Sequence, residues 1–314
     1  MRQVFSVLSA RSLPYAEKAI ESLFQHAIEP LNLTLITDDF TDQEQIFNAV
    51  AQLNNPFNHP WRVFDKVAAD ERAKELFRDY PYLQAFRNGH PCWRKITDPL
   101  LFSAPDEEMI ILDPDLYFPN SFTFEPTPNL QLLLMWQPPS CLFPPEIVQT
   151  AMQASIPLAH HVDIGVAQVK NKLDLAWLDW LIGQLGGQSL PRIAHVEAIV
   201  WAALAMRMGG GYLNPQHWHC WQHRQWKRLL LKCGVPGRQL LRLQNWDQMK
   251  CFHGGGIAKW WIIDAHRQGW IDRPYRLDVP SQTIPFVQLR HAQYQRNQKL
   301  KQLMRKMGYY SFLK

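Results

Sequence analysis

Short apolar runs alternate with amphipathic stretches through the first third of the chain. Val4 to Leu8 reads as a strand, and Ala16, Ala19, Ile20, Leu23 and Phe24 recur at helical spacing over Tyr15 to His26, with Ser12 placed to cap. Leu31 to Ile36 is a second strand, ending in Thr37, Asp38 and Asp39. Thr41 with Glu44 three residues on has the form of a capping box and opens a helix to about Leu53. Trp61 to Phe64 is a third strand and Lys66 to Arg78 a helix. Strand, helix, strand, helix, strand at this spacing predicts a parallel sheet built from right-handed crossovers.

The pattern breaks between Tyr80 and Pro91, a Pro- and Gly-containing connection, and resumes as a helix over Cys92 to Ser103. Met109 to Leu112 is a short apolar run of the kind a fully buried strand shows. Leu130 to Trp136 is another strand, and the Pro-rich run Gln137 to Pro145 predicts a loop over the sheet. Helices follow over Glu146 to Ser155, Leu173 to Leu185 and His195 to Met208, the last two stopped by glycines, with a strand at Val162 to Val169. Tyr212 to Trp226, rich in Trp and His, carries no clear period. The expected fold is α/β, a mixed but mostly parallel sheet flanked by helices over residues 1–270. An extension with a basic amphipathic helix follows over 271–314, where Leu300, Leu303, Met304 and Met307 recur at helical spacing. That helix packs on the domain through its apolar stripe or lies on an anionic membrane surface.

Composition narrows the class. Five scattered cysteines with no Cys-x-x-Cys point away from a disulfide framework and toward a reducing cytoplasm. No run of ~20 apolar residues is present, and the N-terminal apolar run is too short for a signal peptide, so a soluble or peripheral protein is expected. Net charge is +5, concentrated in the last stretch, and no basic patch interleaves with base-stacking aromatics, which argues against nucleic acid as a partner. Thirteen Trp suit a carbohydrate-handling protein, although core packing accounts for Trp equally well.

The chemistry begins where Met109 to Leu112 ends, at Asp113-Pro114-Asp115. A buried strand cannot carry two carboxylates inside, so the pair lies past its C-terminal end, where open α/β sheets bind ligands. Two close carboxylates repel unless a cation sits between them, and hard divalent ions take oxygen ligands. The alternative is a solvated Asp-Pro-Asp turn. A second stretch, His253 to Lys259, supplies an imidazole, three successive glycines and an ammonium group, suited to a metal-bound diphosphate. His217, His219, Cys220 and His223 could suggest zinc but lack paired ligand spacing.

Taken together, these stretches resemble the GT-A fold nucleotide-sugar glycosyltransferases, nearest to family 8, the glycogenin and lipopolysaccharide galactosyltransferase group. Asp113-Pro114-Asp115 matches that family's Asp-x-Asp; His253, Gly256 and Lys259 match its His-x-x-Gly-x-x-Lys; and Lys95, Ile96 and Pro99 resemble its upstream basic segment. The likeness covers about residues 2 to 262. It implies that Asp113, Asp115 and His253 ligate Mn²⁺ (or Mg²⁺), which bridges the diphosphate of a nucleotide-sugar, UDP-linked by analogy. Gly256 and Lys259 would hold the distal phosphates, while Lys95, Ser9 and Ala10 would face the nucleotide. Asp38 could touch the base or ribose, or simply cap the next helix. Asp163 stands where the family's strand beneath the sugar carries an amide, and Glu197 takes a Gln position whose two flanking carboxylates are missing. If the reaction inverts, Glu197 or Asp163 is the expected general base; if it retains, front-face attack needs no dedicated base. The partners implied are the donor and a glycan or glycolipid acceptor, at a cytoplasmic or inner-membrane face. The alternatives are a catalytically silent nucleotide-sugar-binding or scaffolding member, a nucleotide-sugar hydrolase, or a nucleotidyltransferase. The absence of Gly from Ser9 to Ser12 argues against the last, and Leu116-Tyr117 after Asp115 argues against a dehalogenase-type phosphatase.

Overall fold

In a computed structural model of the chain, residues 1–138, 140–221 and 225–309 are described. Pro139 of the Pro-rich run, His223 of the Trp/His stretch and the final Tyr310 to Lys314 lie outside them. The strands are β1 (Arg2–Leu8), β2 (Leu31–Thr37), β3 (Trp61–Phe64), β4 (Glu108–Leu112), β5 (Leu116–Tyr117), β6 (Ser121–Phe122), β7 (Leu132–Trp136), β8 (Val162–Lys170), β9 (Gly210–Tyr212), β10 (Trp218–Cys220), β11 (Cys251–His253), β12 (Arg276–Leu277) and β13 (Ile284–Pro285). The main sheet runs β3-β2-β1-β4-β8-β7-β10-β11-β5, with β9 on β7 and β13 on β9. The expected parallel unit is present, since β3, β2, β1 and β4 are parallel. Beyond β4 the sheet turns mixed: β8 is antiparallel to both β4 and β7, and β5 is antiparallel to β11.

Strand side chains alternate between two apolar faces, as both-side-buried strands should. Phe5, Val7, Ile36, Met109 and Ile111 face one core, and Val4, Leu8, Leu33, Leu35, Ile110 and Leu112 the other. The second core is roofed by α1 (Leu13–His26) and α2 (Gln43–Ala51). The first is covered by α3 (Lys66–Leu76), α4 (Pro81–Arg87), α5 (Arg94–Phe102), α6 (Pro145–Gln153), α7 (Leu175–Leu185) and α8 (Val196–Met208). Each fully buried Leu, Ile or Phe contributes roughly 1.5–3 kcal/mol from apolar transfer. α8 is buried from Val196 to Ala205, which is why its sequence is apolar on every side. A third, smaller core joins α9 (Gln225–Lys232), α10 (Gly237–Arg242) and α11 (Ala258–Arg267) to Tyr117, Trp221 and Phe252.

Three local expectations are corrected. The connection at Tyr80 to Pro91 contains α4, which starts on a proline and is held to α7 by the Leu83 N–H donating to Asp179 Oδ1 at 2.8 Å. The Thr41–Glu44 capping box does not form: Asp42 is the N-cap of α2, and Thr41 instead donates its N–H and hydroxyl to Asp39 Oδ1. The Trp/His stretch contains β10, with Trp218 and Trp221 fully buried. Trp93 and Trp201 are also fully buried, so much of the tryptophan excess is core.

The segment after residue 270 is woven into the rest. β12 pairs with β6 and β13 with β9, while Leu289 and Tyr294 join the large core. Buried Glu125 fastens it further, accepting from Trp218 Nε1 (2.9 Å), Lys250 Nζ (2.9 Å) and the Ser281 N–H (2.7 Å). The closing helix, α12 (His291–Lys306), docks through Tyr294 and the flank carrying Met304. Of the two alternatives for its apolar stripe, packing on the domain is met only in part, with Leu300, Leu303 and Met307 each more than half exposed. Among the described residues no helix is long and apolar enough to cross a membrane.

Candidate metal and diphosphate site

β4 ends at Leu112, but its ladder continues one residue, because the Asp113 N–H donates to Gly165 O of β8 at 2.9 Å. Pro114 then turns the chain into β5, and β5 pairs with β11, setting Leu116 opposite His253. The Gly254 N–H donates to Asp115 O at 2.9 Å and tightens that seam. Two stretches about 140 residues apart in sequence are thereby brought together by one antiparallel pair. His253 Nε2 lies 3.2 Å from Asp115 Oδ1 and 3.6 Å from Asp113 Oδ2. One ligand atom from each of the three falls within 4.8 Å of the others. Two oxygens and an imidazole nitrogen, mostly sheltered from water, are a donor set that fits Mn²⁺ or Mg²⁺.

The opposite edge of His253 is also engaged. Its Nδ1 sits 2.9 and 3.0 Å from the two oxygens of Asp163, which is 2% exposed. The Cys220 thiol stands 3.8 Å from the same nitrogen. Gly165 lies beneath the ring, where an added Cβ would come 2.7 Å from His253 Cγ and Nδ1. A carboxylate on one ring nitrogen fixes the imidazole's orientation and frees the other nitrogen for a metal. Gly165→Ala and Asp163→Leu are therefore expected to weaken Mn²⁺ binding about 10- to 100-fold, measured by calorimetric titration, through loss of the ring's seat.

Lys95, from the first turn of α5, reaches under the pair. Its Nζ is 2.5 Å from Asp113 Oδ1 and 3.1 Å from Glu197 Oε2. Burial works against the ammonium charge, but Asp113 and Glu197 outweigh it and hold the Lys95 pKa above the usual lysine range. Glu197 is 1% exposed, and its Oε1 accepts from Trp201 Nε1 at 3.2 Å. Burial, reinforced by Asp113, pushes the Glu197 pKa up to about 8 against the pull of Lys95. Burial likewise raises Asp113, whereas at Asp115 and Asp163 the burial penalty is overcome by His253, and both are lowered. His253 is raised well above the usual histidine value, since Asp163 and Asp115 more than offset its burial.

A raised acid pKa stabilises the fold fully below the unfolded value and ceases to do so as pH passes the folded value. Glu197 thus makes the protein lose stability between about pH 4.5 and 8. Glu197→Gln is expected to remove that part of the slope, at most about 1.4 kcal/mol per pH unit, in urea unfolding across this range.

The cleft beside these groups is about 230 Å³ and is lined by Ser9, Ser12, Tyr15, Asp38, Lys95 and Lys259 together with Asp113 and Asp115. Lys259 Nζ is 4.0 Å from Asp115 Oδ2 and 4.2 Å from the centre of the Tyr15 ring. Tyr15 was not among the expected residues, and a lone Tyr at a helix start carries no signal in sequence. Ser9, Asp38, Lys95 and Lys259 thus line one cleft. Ala10 does not line it, and its N–H donates to Asp42 Oδ2 at 2.6 Å. Gly256 is exposed at φ 69°, in the turn leading to α11, a conformation that favours glycine. Asp163 and Glu197, the expected bases, are buried and do not line the cleft. Each acts on another site residue, Asp163 on His253 and Glu197 on Lys95. His217 and His219 do not converge with Cys220 on a zinc-type cluster among the described residues. His217 Nδ1 meets Gln248 O, and His219 stacks on Phe252.

No protein-family profile matches the sequence, and no curated protein matches it by sequence. The architecture is found among solved structures. The apo form of mouse xyloside xylosyltransferase 1 superposes with a TM-score of 0.53 at 13% identity, over 82% of this chain and 98% of that one. The bifunctional glycosyltransferase WbbM aligns more loosely, with a TM-score of 0.45 and 10% identity over 81% of this chain and 46% of that one. The curled, mostly parallel sheet flanked by helices is thus the GT-A type of fold.

Proposed function

We propose that this chain is a metal-dependent glycosyltransferase that moves a sugar from a nucleotide-sugar, UDP-linked in the first instance, to a hydroxyl of a glycan or glycolipid. The observation that carries this reading is the convergence of Asp113, Asp115 and His253 Nε2 at the mouth of a cleft that also holds Lys95 and Lys259. The shared fold with a solved xylosyltransferase supports it. Mn²⁺ bound there would supply counter-charge to a diphosphate leaving group. Lys259, on the Tyr15 ring, is placed to meet phosphate oxygens, and Ser9 and Asp38 to meet the nucleoside. Lys95 holds Asp113 in place, and Asp163 holds His253. Exposed Leu300, Leu303 and Met307 beside Lys299, Arg305 and Lys306 support contact of α12 with an anionic membrane surface.

The carboxylates lining the cleft are Asp38, Asp113 and Asp115. With Asp113 and Asp115 committed to the metal, Asp38 to the nucleoside and Glu197 and Asp163 withdrawn, no carboxylate among the described residues of the cleft is left to act as a base. That favours retention of anomeric configuration, and proton NMR of the fresh product should show the donor's anomer. The same withdrawal favours, as a second reading, a member that binds nucleotide-sugar without turnover, which would show donor binding but no transfer to any acceptor.

The test is thermal unfolding with UDP-, GDP- and ADP-sugars, each with and without Mn²⁺. Binding to the native state adds RT ln(1 + [L]/Kd), about 2.7 kcal/mol at a hundredfold excess over Kd. A shift that needs both one nucleotide and Mn²⁺ is the expected result. A folded protein that responds to no pair would overturn the reading.

A further inference from the structure

A second and larger cavity, about 420 Å³, lies against α12. One wall is α12, and the other is formed by Leu142 and by His160 and His161 at the entry to β8. His161 has φ 62°, a left-handed conformation uncommon outside glycine, and its ring lies 3.6 Å from that of His160. Such backbone positions persist where the surroundings enforce them and gather at ligand sites. Asp163, which holds His253, is two residues farther on. Gln137 closes the link: its N–H donates to His161 O at 2.9 Å, and its Oε1 accepts from the Cys220 thiol at 3.1 Å. Cys220 in turn stands beside His253 Nδ1. Gln137 and Cys220 therefore connect the cavity wall to the metal-site histidine.

The lining has a definite chemistry. Gln293, Asn297 and Gln298 bring amides from α12, while Leu142, Tyr294 and Met304 bring apolar surface. Burial, aided by His161, pushes the His160 pKa down to about 4, so at neutral pH its imidazole is uncharged and can both donate and accept. Lys301 adds one ammonium group, and among the described residues no carboxylate lines the cavity, which leaves a cationic ligand without a partner. Amides and neutral imidazoles suit hydroxyl groups, and apolar side chains suit the C–H face of a sugar ring. The volume lies within the range of small-ligand pockets.

We propose that this cavity is the acceptor subsite, binding a sugar-bearing acceptor whose reacting hydroxyl extends past His161 toward the cleft. The proposal rests on the glycosyltransferase reading and adds where the second substrate sits and what chemistry it has. In the ordinary course of turnover the donor would occupy the cleft and the acceptor the cavity, with the His161 to Asp163 segment between them.

The experiment compares wild-type protein with Asn297→Ala and Met304→Arg on an array of defined di- to tetrasaccharides of glucose, galactose, mannose, rhamnose and N-acetylglucosamine. Each protein is also melted with and without nucleotide-sugar and Mn²⁺. The expected result is retention of a subset of glycans by wild type, weakened at least about tenfold in both variants, with the nucleotide-dependent shift unchanged. Equal retention by variants and wild type overturns the proposal. So does a wild type that gives the nucleotide shift but retains no glycan. A wild type without the shift overturns the transferase reading instead, and glycan retention lost in the variants would then still place a sugar site in the cavity. Should Met304→Arg fail to fold, Gln298→Ala takes its place beside Asn297→Ala.

Discussion

Asp115→Ala is expected to abolish the Mn²⁺-dependent nucleotide shift and to lower kcat/KM by about 10³-fold or more. A loss of that size corresponds to about 4 kcal/mol at 1.36 kcal/mol per decade, the range set by losing a metal's charge stabilisation at the transition state. Removing Asp115 takes away one ligand and also the oxygen 3.2 Å from His253 Nε2. Asp163 at 2.9 Å and Asp113 at 3.6 Å would then be the carboxylates left beside the ring. His253→Ala should match the loss, because in the proposed site the two residues would serve one ion. Steady-state kinetics over a Mn²⁺ series separate the cases: a defect rescued by millimolar Mn²⁺ is weakened affinity, and one that persists at saturation is lost chemistry. Wild-type rates in either variant at ordinary Mn²⁺ would remove the site from the mechanism.

Lys95→Met should cost about 3–5 kcal/mol in urea unfolding, the size seen when one partner of a buried pair is removed. Lys95 lies between Asp113 and Glu197, and its side chain is 8% exposed. Without the ammonium group, two buried carboxylates face each other with no cation between them. Glu197 takes a proton readily and so relieves part of the loss, whereas Asp113 cannot do so and still bind a metal. The double variant Lys95→Met, Glu197→Gln should therefore recover stability but not Mn²⁺ affinity. Equal recovery of both would show that Lys95 has no part in placing Asp113.

How far the sequence reached depended on the range of the interactions. The β3-β2-β1-β4 unit and the main helices were legible because strand and helix periods are local. Asp113 and Asp115 were legible because a buried strand must eject its carboxylates at an end. α4 was missed because its helicity rests on packing against α7, including the Asp179 bond to the Leu83 N–H, which no window of sequence contains. The antiparallel turn of β8 was hidden for the same reason, and with it the burial of Asp163. Glu197 was a candidate base because the resemblance set it at a site position, and its burial rests on contacts distant in sequence or a turn away. Trp201 one turn on and Lys95 across the cleft floor are what bury it. On α12, the apolar stripe did not tell packing from a membrane-facing surface, because the contact with the domain is made by Tyr294 and the flank carrying Met304.

The late strands also set the order in which the molecule can be made. β5 cannot find its partner β11 until more than 130 residues have followed it, and β9 waits for β13. During synthesis the early parallel unit can close first, with the Asp113–Asp115 turn projecting from an unfinished edge. Distant pairings slow folding and leave strand edges open to other chains meanwhile. Cutting the chain before β13 should thus produce aggregation during expression, where trimming a loose tail would not. Glu125 would be the latch, since its buried carboxylate draws in Lys250 and Ser281 only once both have emerged.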